Sequence, residues 1–427
     1  MKDSFLQVRV CEENEKFSQC VKREHALYKR GNGIRSEFER DYTRILHSLA
    51  YRRLKHKTQV FFAPQNDHIC TRIEHVNHVA SVSTTIAKYL GLNTELTSAI
   101  AIGHDIGHSP FGHTGEQILN SLMKNKNEGR NAPKKFWHER NSLFFADYIE
   151  TLQDPDENET YLDLTYAVRD GLICHCGEIA HQGIIPRNEA IDLYTIKRPG
   201  FVQPYTWEGC VVKVSDKIAF LGRDMEDART YGILDASSCR QLNEIVAGTL
   251  GFGPNKKFSD HTTNGVHRSG LAVNTSVLIN DMVVDLCDNS SPEKGLCFSE
   301  PYFKFIKDLH AFCFANIYNN WRLVEFGKYA ENVLGCIYRT LMKCQEFAVS
   351  GRIYSALDFA PELCSTFEDW LVKYSDYNTQ LRDEHHYLTT PCFTVSSEES
   401  YEKCVIEFIS GMTDNFAIRV FNEIISF

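Results

Sequence analysis

Apolar and polar side chains alternate at helical spacing along most of this chain. Positions 75, 79, 82, 86 and 90 form one stripe of a histidine and four apolar residues with polar residues opposite, which predicts a helix with one buried face. Gly91 follows the stripe, as glycine often does at a helix end. Asn93 or Thr94 then caps a second helix with the body LTSAIAIGHD, which the tetrapeptide SPFG at 109–112 breaks.

The same periodicity continues to the C-terminus. It predicts further helices at 36–55, 139–152, 162–174, 207–231, 302–319, 321–349 and 400–425. Thr114 with Gln117 predicts a capping box for a helix that follows the break. Short strands are expected at 58–62 and 272–279, and loops at 125–135, 251–267 and 289–295. These elements indicate an all-α fold: a catalytic core at 1–240 with a basic N-terminal segment, and a C-terminal helical region at 241–427 that completes the pocket and forms oligomer contacts.

Composition indicates an ordinary cytoplasmic protein. The chain is 43% hydrophobic and 24% charged, and it contains no run of eighteen apolar residues, so we expect no membrane span. The N-terminus lacks the apolar run of a signal peptide. Fifteen cysteines are scattered singly, with Cys174 and Cys176 as the one close pair, so we expect reduced, buried thiols.

The distribution of charge narrows the class of partner. A net charge of −10 argues against a general nucleic-acid binder. Residues 22–57 nevertheless hold eleven Lys or Arg against four Asp or Glu. This basic segment is suited to a compact anion such as a polyphosphate, although a solvated helix face explains any single charge equally well.

Histidines are concentrated in one part of the chain. Seven of the seventeen lie between residues 68 and 138. The adjacent pair His104-Asp105 follows the small apolar run AIAIG, where an unpaired buried carboxylate would be costly and a bound cation would remove the cost. Neighbouring helical residues diverge by about 100°, so an ion that both contact must lie above the ridge between them.

Two more segments are candidates to complete a metal site. His75 begins one helix, and Asp216 follows the apolar stretch VVKV at the start of SDKIAFLGRDMEDA. Asp216, Phe220 and Asp224 share one face of that helix, as the wall of a site would require. A set of two His and two Asp suits Mn²⁺, Fe²⁺, Mg²⁺ or Zn²⁺. The alternative is that His104 and Asp105 pair only with each other.

Ordered motifs resemble a known family. The chain reads RIEH at 72–75, HDIGHSPFGHTGE at 104–116, WHE at 137–139 and SDKIAFLGRD at 215–224, preceded by RRLKHKTQV at 52–60. In this combination and order it resembles the HD-domain deoxynucleoside triphosphate triphosphohydrolases, the dGTPase family, over roughly residues 35–231.

The resemblance implies a role for each matching residue. The implied metal ligands are His75, His104, Asp105 and Asp216, for Mg, Mn or Fe, with Zn less favoured. The implied catalytic residues are His113 at the α-phosphate, Glu116, which orients it, and His108. The implied substrate contacts are Gln59 at the sugar, Arg53, Arg72, His138 and Lys217 at the phosphates, and Phe220 and Asp224 in the sugar wall.

The resemblance also implies an activity. The expected reaction is metal-dependent hydrolysis of a deoxynucleoside triphosphate, dGTP first, to deoxynucleoside and inorganic triphosphate. An HD phosphodiesterase or phosphatase acting on another nucleotide, and a non-catalytic nucleotide sensor, are the alternatives. A homo-oligomer and a nucleotide or single-stranded DNA effector are further expectations from the family.

Overall fold

The computed structural model describes residues 4–27, 34–62, 68–126, 135–177, 183–250 and 275–426. Within these ranges the chain is helical, with a single pair of short strands. The helices are α1 (Phe17–Cys20), α2 (Glu37–His47), α3 (Leu49–Arg53), α4 (Arg72–Leu90), α5 (Thr94–Gly103), α6 (Gly112–Lys126), α7 (His138–Phe144), α8 (Tyr166–Cys174), α9 (Trp207–Thr230), α10 (Ala236–Leu250), α11 (Thr275–Asn289), α12 (Glu300–Cys313), α13 (Trp321–Lys343), α14 (Gln345–Val349), α15 (Pro361–Tyr374), α16 (Thr379–Glu384), α17 (Glu398–Gly411) and α18 (Asp414–Ile425). The expected all-α class is confirmed.

Helices α4, α5 and α9 form the centre of the fold. All five positions of the stripe that begins at residue 75 are buried along α4, which packs against both α5 and α9. Gly91 ends α4 in the left-handed conformation, with φ of 83°, as expected. Asn93 caps α5 by accepting hydrogen bonds from the backbone N–H groups of Glu95 and Leu96. These helices position the N-terminal part of the candidate site.

Two apolar clusters surround this centre. One joins α2, α5 and α8 to α13, α15, α17 and α18, and the other joins α4 and α9 to α10, α11 and α12. Each cluster therefore combines residues from both sides of the division expected at 240, and α10 runs across that position. The division into 1–240 and 241–427 stays a prediction.

Several local predictions are wrong. The strand expected at 272–279 is helix α11 from Thr275 onward; residues 272–274 lie outside the described part. At 58–62 only an isolated bridge from Thr58 to Thr71 forms. Thr114 lies inside α6, which begins at Gly112, so it does not cap that helix. The expected helix 139–152 instead ends in a π-helical turn and strand β1 (Thr151–Gln153), which pairs with β2 (Glu159–Tyr161).

The remaining sequence expectations have mixed outcomes. The break at 109–112 and the turn at 289–295 are present, whereas the loop expected at 251–267 lies outside the described residues. All fifteen cysteines are free thiols and ten of them are buried, as expected. Among the described residues, no helix combines the length and the apolar character that a membrane crossing demands.

Candidate metal and catalytic site

Two helices and the turn after a third bring the four predicted metal ligands together in the fold. His75 lies in the first turn of α4, and Asp216 lies in the middle of α9. Nε2 of His75 is 2.9 Å from Oδ1 of Asp216, which is 3.9 Å from Nε2 of His104. Nε2 of His104 is also 3.5 Å from Oδ2 of Asp105. The four side chains therefore face one another, although 141 residues separate the first from the last.

The pair His104-Asp105 does not lie within a helix, contrary to the sequence expectation. Helix α5 ends at Gly103, and both residues belong to the turn that follows. Gly107 ends this turn against α7, where a Cβ atom would lie 2.1 Å from the backbone nitrogen of Ser142. The Ser142 hydroxyl accepts from Gly107 N at 3.0 Å and donates to the carbonyl oxygen of His104 at 2.8 Å. Close packing against α7 thus aims both side chains at the site.

The donor set fits a divalent cation. Nδ1 of His104 bonds to the carbonyl oxygen of Ala101 at 2.7 Å, so Nε2 faces the site, where it is buried and has no hydrogen-bond partner. Ligands at right angles on an ion with bonds of about 2.1 Å lie about 3 Å apart. The spacing of 2.9 Å between His75 and Asp216 and of 3.5 Å between His104 and Asp105 is close to this value. Nitrogen and carboxylate donors without sulfur suit Mn²⁺, Fe²⁺ or Mg²⁺.

Both carboxylates of this set are held in the ionised form. Burial opposes this state, but the hydrogen bond and charge of His75 outweigh it and place the pKa of Asp216 far below its ordinary value. The pKa of Asp105 is likewise well lowered, against burial, by His104 and Arg72. The site therefore offers anionic oxygen to a cation at neutral pH.

A second polar cluster borders the first. Oε2 of Glu116 is 2.9 Å from Nδ1 of His138 and 3.5 Å from Nδ1 of His113, and the ring of His108 stacks on His138 with centroids 4.5 Å apart. His113 is exposed, with 66% of its side chain accessible, whereas His108 and His138 are buried. Nε2 of His138 lies 3.7 Å from Oδ1 of Asp105, so the two clusters share one wall.

The charges in this second cluster differ from residue to residue. Burial disfavours the cationic ring, but the carboxylates of Glu139 and Glu116 outweigh it and raise the pKa of His138 to about 10. The pKa of His108 is well lowered by burial and by the neighbouring charges of Arg72 and His138. One neutral and one cationic imidazole thus lie in stacked contact.

Arg72 and Gln59 adjoin the ligands but make contacts that the sequence did not indicate. The guanidinium of Arg72 donates to Oδ2 of Asp105 at 2.7 Å and to the carbonyl oxygen of Gln59 at 3.1 Å. Oε1 of Gln59 is buried without a hydrogen-bond partner. An unpartnered amide oxygen beside the site is available to a ligand hydroxyl, while Arg72 already neutralises Asp105.

The two residues expected to form a sugar wall, Phe220 and Asp224, both lie on α9, and their role stays a prediction. Asp224 is buried, and its carboxylate accepts a hydrogen bond of 2.5 Å from the hydroxyl of Tyr318. Burial raises the pKa of Asp224 to about 6, against the influence of Tyr318 and the charges of Arg72 and His113. The Phe220 ring lies 6.2 Å from that of His310.

Among the described residues of the basic segment at 22–57, several side chains make contacts within the fold. Arg23 pairs with Glu37 and with the buried Asp41. Arg53 pairs with Glu150 through one guanidinium nitrogen at 2.7 Å. Lys217 is half-buried next to Asp216 on α9. Arg53 and Lys217 stay predictions as substrate contacts.

Sequence reasoning missed one residue of the site, His175. The ring of His175 lies 4.9 Å from that of His104, and His175 forms potential metal-binding groups with His104 and Asp105 and with His138 and Glu139. His175 directly follows an entirely buried helix, α8, and its Nδ1 bonds to a carbonyl oxygen three residues earlier, as in His104. The sequence signal that could have indicated His175 was a single histidine directly after an apolar helix.

Known proteins resemble this chain over most of its length. The model of the HD domain matches residues 72–221. A deoxyguanosinetriphosphate triphosphohydrolase-like protein of Desulfatibacillum aliphaticivorans is 30% identical over 394 residues, 92% of this chain and 88% of the relative. Proteins of the same name from Caldanaerobacter subterraneus and Rickettsia canadensis are 34% and 29% identical, over 67% and 93% of this chain and 66% and 96% of the relatives. The chain belongs to the HD-domain family of deoxyguanosinetriphosphate triphosphohydrolase-like proteins.

Proposed function

We propose that this protein hydrolyses deoxynucleoside triphosphates, dGTP first, to the deoxynucleoside and inorganic triphosphate. The observation that carries the proposal is the contact between the two clusters. Asp105, in the predicted ligand set, lies 3.7 Å from His138, in the set that also holds His113 and Glu116. A phosphoryl group bound at this wall would meet a cation on one side and a proton-transferring imidazole on the other.

The proposed reaction consists of one substitution at phosphorus and one proton transfer. Attack of water on the α-phosphorus breaks its bond to the 5′ oxygen; the water supplies a hydroxyl group to phosphorus and a proton to the departing 5′ oxygen. His75, His104, Asp105 and Asp216 would hold a divalent ion, whose positive charge would polarise a phosphoryl oxygen. His113 is exposed at the edge of the site, where it can deliver the proton to the 5′ oxygen.

The surrounding residues hold His113 and the substrate. Glu116 accepts from His138 and faces His113, so it orients the exposed ring. The amide of Gln59 and the carboxyl of Asp224 are the proposed sugar contacts. Lys217 and, through its remaining donors, Arg72 are the proposed phosphate contacts.

Product analysis tests this proposal. The purified protein is loaded with Mn²⁺, Mg²⁺ or Fe²⁺ and incubated with each dNTP alone and with all four mixed, because a mixture exposes an effector requirement. Inorganic triphosphate and deoxynucleoside in equal amounts support the proposal. Pyrophosphate or orthophosphate as first product would instead indicate a phosphodiesterase or phosphatase, and metal-dependent binding without turnover would indicate a nucleotide sensor.

A matched pair of variants on α9 connects the activity to the site. Asp216→Asn removes one proposed ligand charge, and Glu226→Gln makes the same chemical change at a surface pair with Arg223. We expect the first variant to lose metal and turnover, and the second to retain both. Cytoplasmic location stays a prediction from composition, and an oligomer and a nucleotide or DNA effector stay predictions from the resemblance.

A further inference from the structure

The junction between α17 and α18 lies beneath two loops of the candidate site. Asp414, the first residue of α18, is 3% exposed. Its Oδ2 accepts from the backbone N–H of Thr58 at 3.0 Å and from the Thr58 hydroxyl, and its Oδ1 accepts from the backbone N–H of Phe111 at 2.9 Å. One buried carboxylate thus joins segments that lie 356 and 303 residues away in the sequence.

Both joined segments carry candidate site residues. Thr58 precedes Gln59, whose carbonyl oxygen accepts from Arg72 and whose amide oxygen is buried without a partner. Phe111 adopts a positive φ of 60°, unfavourable for a bulky side chain, directly before α6, which carries His113 and Glu116. A Cβ atom on Gly112 would lie 3.0 Å from the carbonyl oxygen of Gln59, so the two loops touch at this point.

The opposite side of the first loop is tied to the metal ligands. Arg72 donates to the carbonyl oxygens of Thr58 and Gln59 and also to Asp105. The Thr58 segment is therefore held by Asp414 through its N–H group and by Arg72 through its carbonyl. A displacement of Thr58 would be transmitted to Arg72 and from there to a predicted ligand.

A second buried charge makes a parallel connection. Lys57 is 2% exposed, and its Nζ donates to the carbonyl oxygens of His108 and, at 2.8 Å, of Ser410. The Ser410 hydroxyl accepts from Asn141 at 3.0 Å, and Asn141 also donates to the carbonyl oxygen of Gly107. The end of α17 therefore supports the start of the loop from 107 to 111, whereas Asp414 of α18 holds its other end at Phe111.

We infer that Asp414 is a positioning residue, which sets the distance between the Gln59 loop and the turn that presents His113. It touches neither substrate nor metal in this assignment. Its importance lies in geometry, because a displacement of about 1 Å at a reacting centre can lower turnover by about a hundredfold. The kinetic part of the inference rests on the proposed function.

The test compares two carboxylates of the same helix. Asp414→Asn keeps the shape but turns one accepting oxygen into a donor that faces the N–H of Thr58 or Phe111. Glu423→Gln is the matched control, since Glu423 also accepts two backbone N–H bonds, from Glu362 and Leu363, at the start of α15. Thr58→Val is a milder second variant, which removes only the hydroxyl bond to Asp414.

Three measurements on the full chain are required. Hydrogen exchange follows the peptides that contain residues 57–62 and 108–113, calorimetry measures Mn²⁺ affinity, and steady-state kinetics with dGTP separates kcat from KM. For Asp414→Asn we expect faster exchange in both peptides, weaker Mn²⁺ binding and a kcat/KM lower by about ten- to a hundredfold, with both kcat and KM altered. For Glu423→Gln we expect none of these changes.

Each outcome decides the inference. Unchanged exchange at both loops in Asp414→Asn, or equal changes in Glu423→Gln, would overturn it, as would a loss of kcat that matches the fraction of unfolded protein at constant KM. If Asp414→Asn does not fold, Thr58→Val must show the same changes in smaller measure. If the wild-type protein hydrolyses no dNTP, the proposed function fails, whereas exchange and Mn²⁺ affinity still decide the role of Asp414.

Discussion

Glu407 places an ionisable group in the interior of α17. Its side chain is 7% exposed, and the Ser410 hydroxyl contacts its carboxylate at 3.4 Å. Burial raises the pKa of Glu407 from 4.5 to about 7, even though Lys403, Ser410 and Arg140 each act to lower it. At neutral pH this carboxyl group is therefore only partly ionised.

The raised pKa predicts how stability depends on pH. Between about pH 4.5 and 7 the folded chain retains a proton on Glu407 that the unfolded chain releases, so the stability contributed by this group is lost as pH rises. The full loss is about 3 kcal/mol, of which about 2.5 kcal/mol develops between about pH 5 and 8.5. Glu407→Gln removes the titration. Between these two pH values we therefore expect the free energy of unfolding of the variant to rise by about 2.5 kcal/mol relative to that of the wild type.

Thermal unfolding followed by circular dichroism at both pH values measures this difference. A chain of 427 residues has an unfolding entropy of about 0.9 kcal/mol/K. The Tm difference between the variant and the wild type should therefore be about 3 °C more in favour of the variant at the higher pH than at the lower pH. Glu384→Gln, at an exposed glutamate of α16, is the control and should show no such gain. A Tm offset for Glu407→Gln that is equal at both pH values, or larger at the lower one, would refute the reasoning.

Three further predictions concern the site and its support. His113→Ala should retain metal content and Tm but lose about 10²- to 10⁴-fold in kcat, because this exposed imidazole is the proposed proton donor; loss of metal would contradict this. Asp105→Asn should lower Mn²⁺ content, measured by mass spectrometry, and leave the buried Arg72 without its ion pair, at a cost in stability of about 3–5 kcal/mol. Gly107→Ala should lower Tm because its Cβ would meet the backbone of Ser142, whereas Gly248→Ala, with open space and a helical position, should raise stability by about 0.5–1 kcal/mol.

Local sequence signals predicted α4, which carries His75, and α5, which directly precedes His104 and Asp105. The stripe on α4, the glycine at its end and the Asn93 cap each act within a few residues, and all three are present. The strand prediction at 272–279 was wrong because a short apolar run does not distinguish a strand from a buried helix. The segment is helical in α11, which packs against α9 and α4. Strands β1 and β2 were missed because their pairing follows from a turn in which Asp154 accepts from the backbone of Asp156 and Asn158.

The convergence of the ligands could be predicted only in part. The adjacent pair His104-Asp105 pointed to a cation, but the end of α5 at Gly103 changed the geometry by which both side chains face it. That change depends on close contact with α7, which no periodicity in either segment reveals. His175 was missed for the same reason, since its closeness to His104 depends on how α8 packs against α5.

No sequence signal predicted how the C-terminal helices contribute to the candidate site. Asp414 and Ser410 belong to no motif. The Asp414 carboxylate nevertheless accepts hydrogen bonds from the N–H groups of Thr58 and Phe111, and the Ser410 carbonyl oxygen accepts one from Lys57. Without them, three buried donors of the N-terminal part would lose partners, each at a cost of about 1–3 kcal/mol or more. The apolar cluster that α13, α17 and α18 share with α2 and α5 would be exposed as well. Among the described residues, the candidate site therefore depends on contacts from both sides of position 240, because Asp414 and Ser410 hold loops of the N-terminal part.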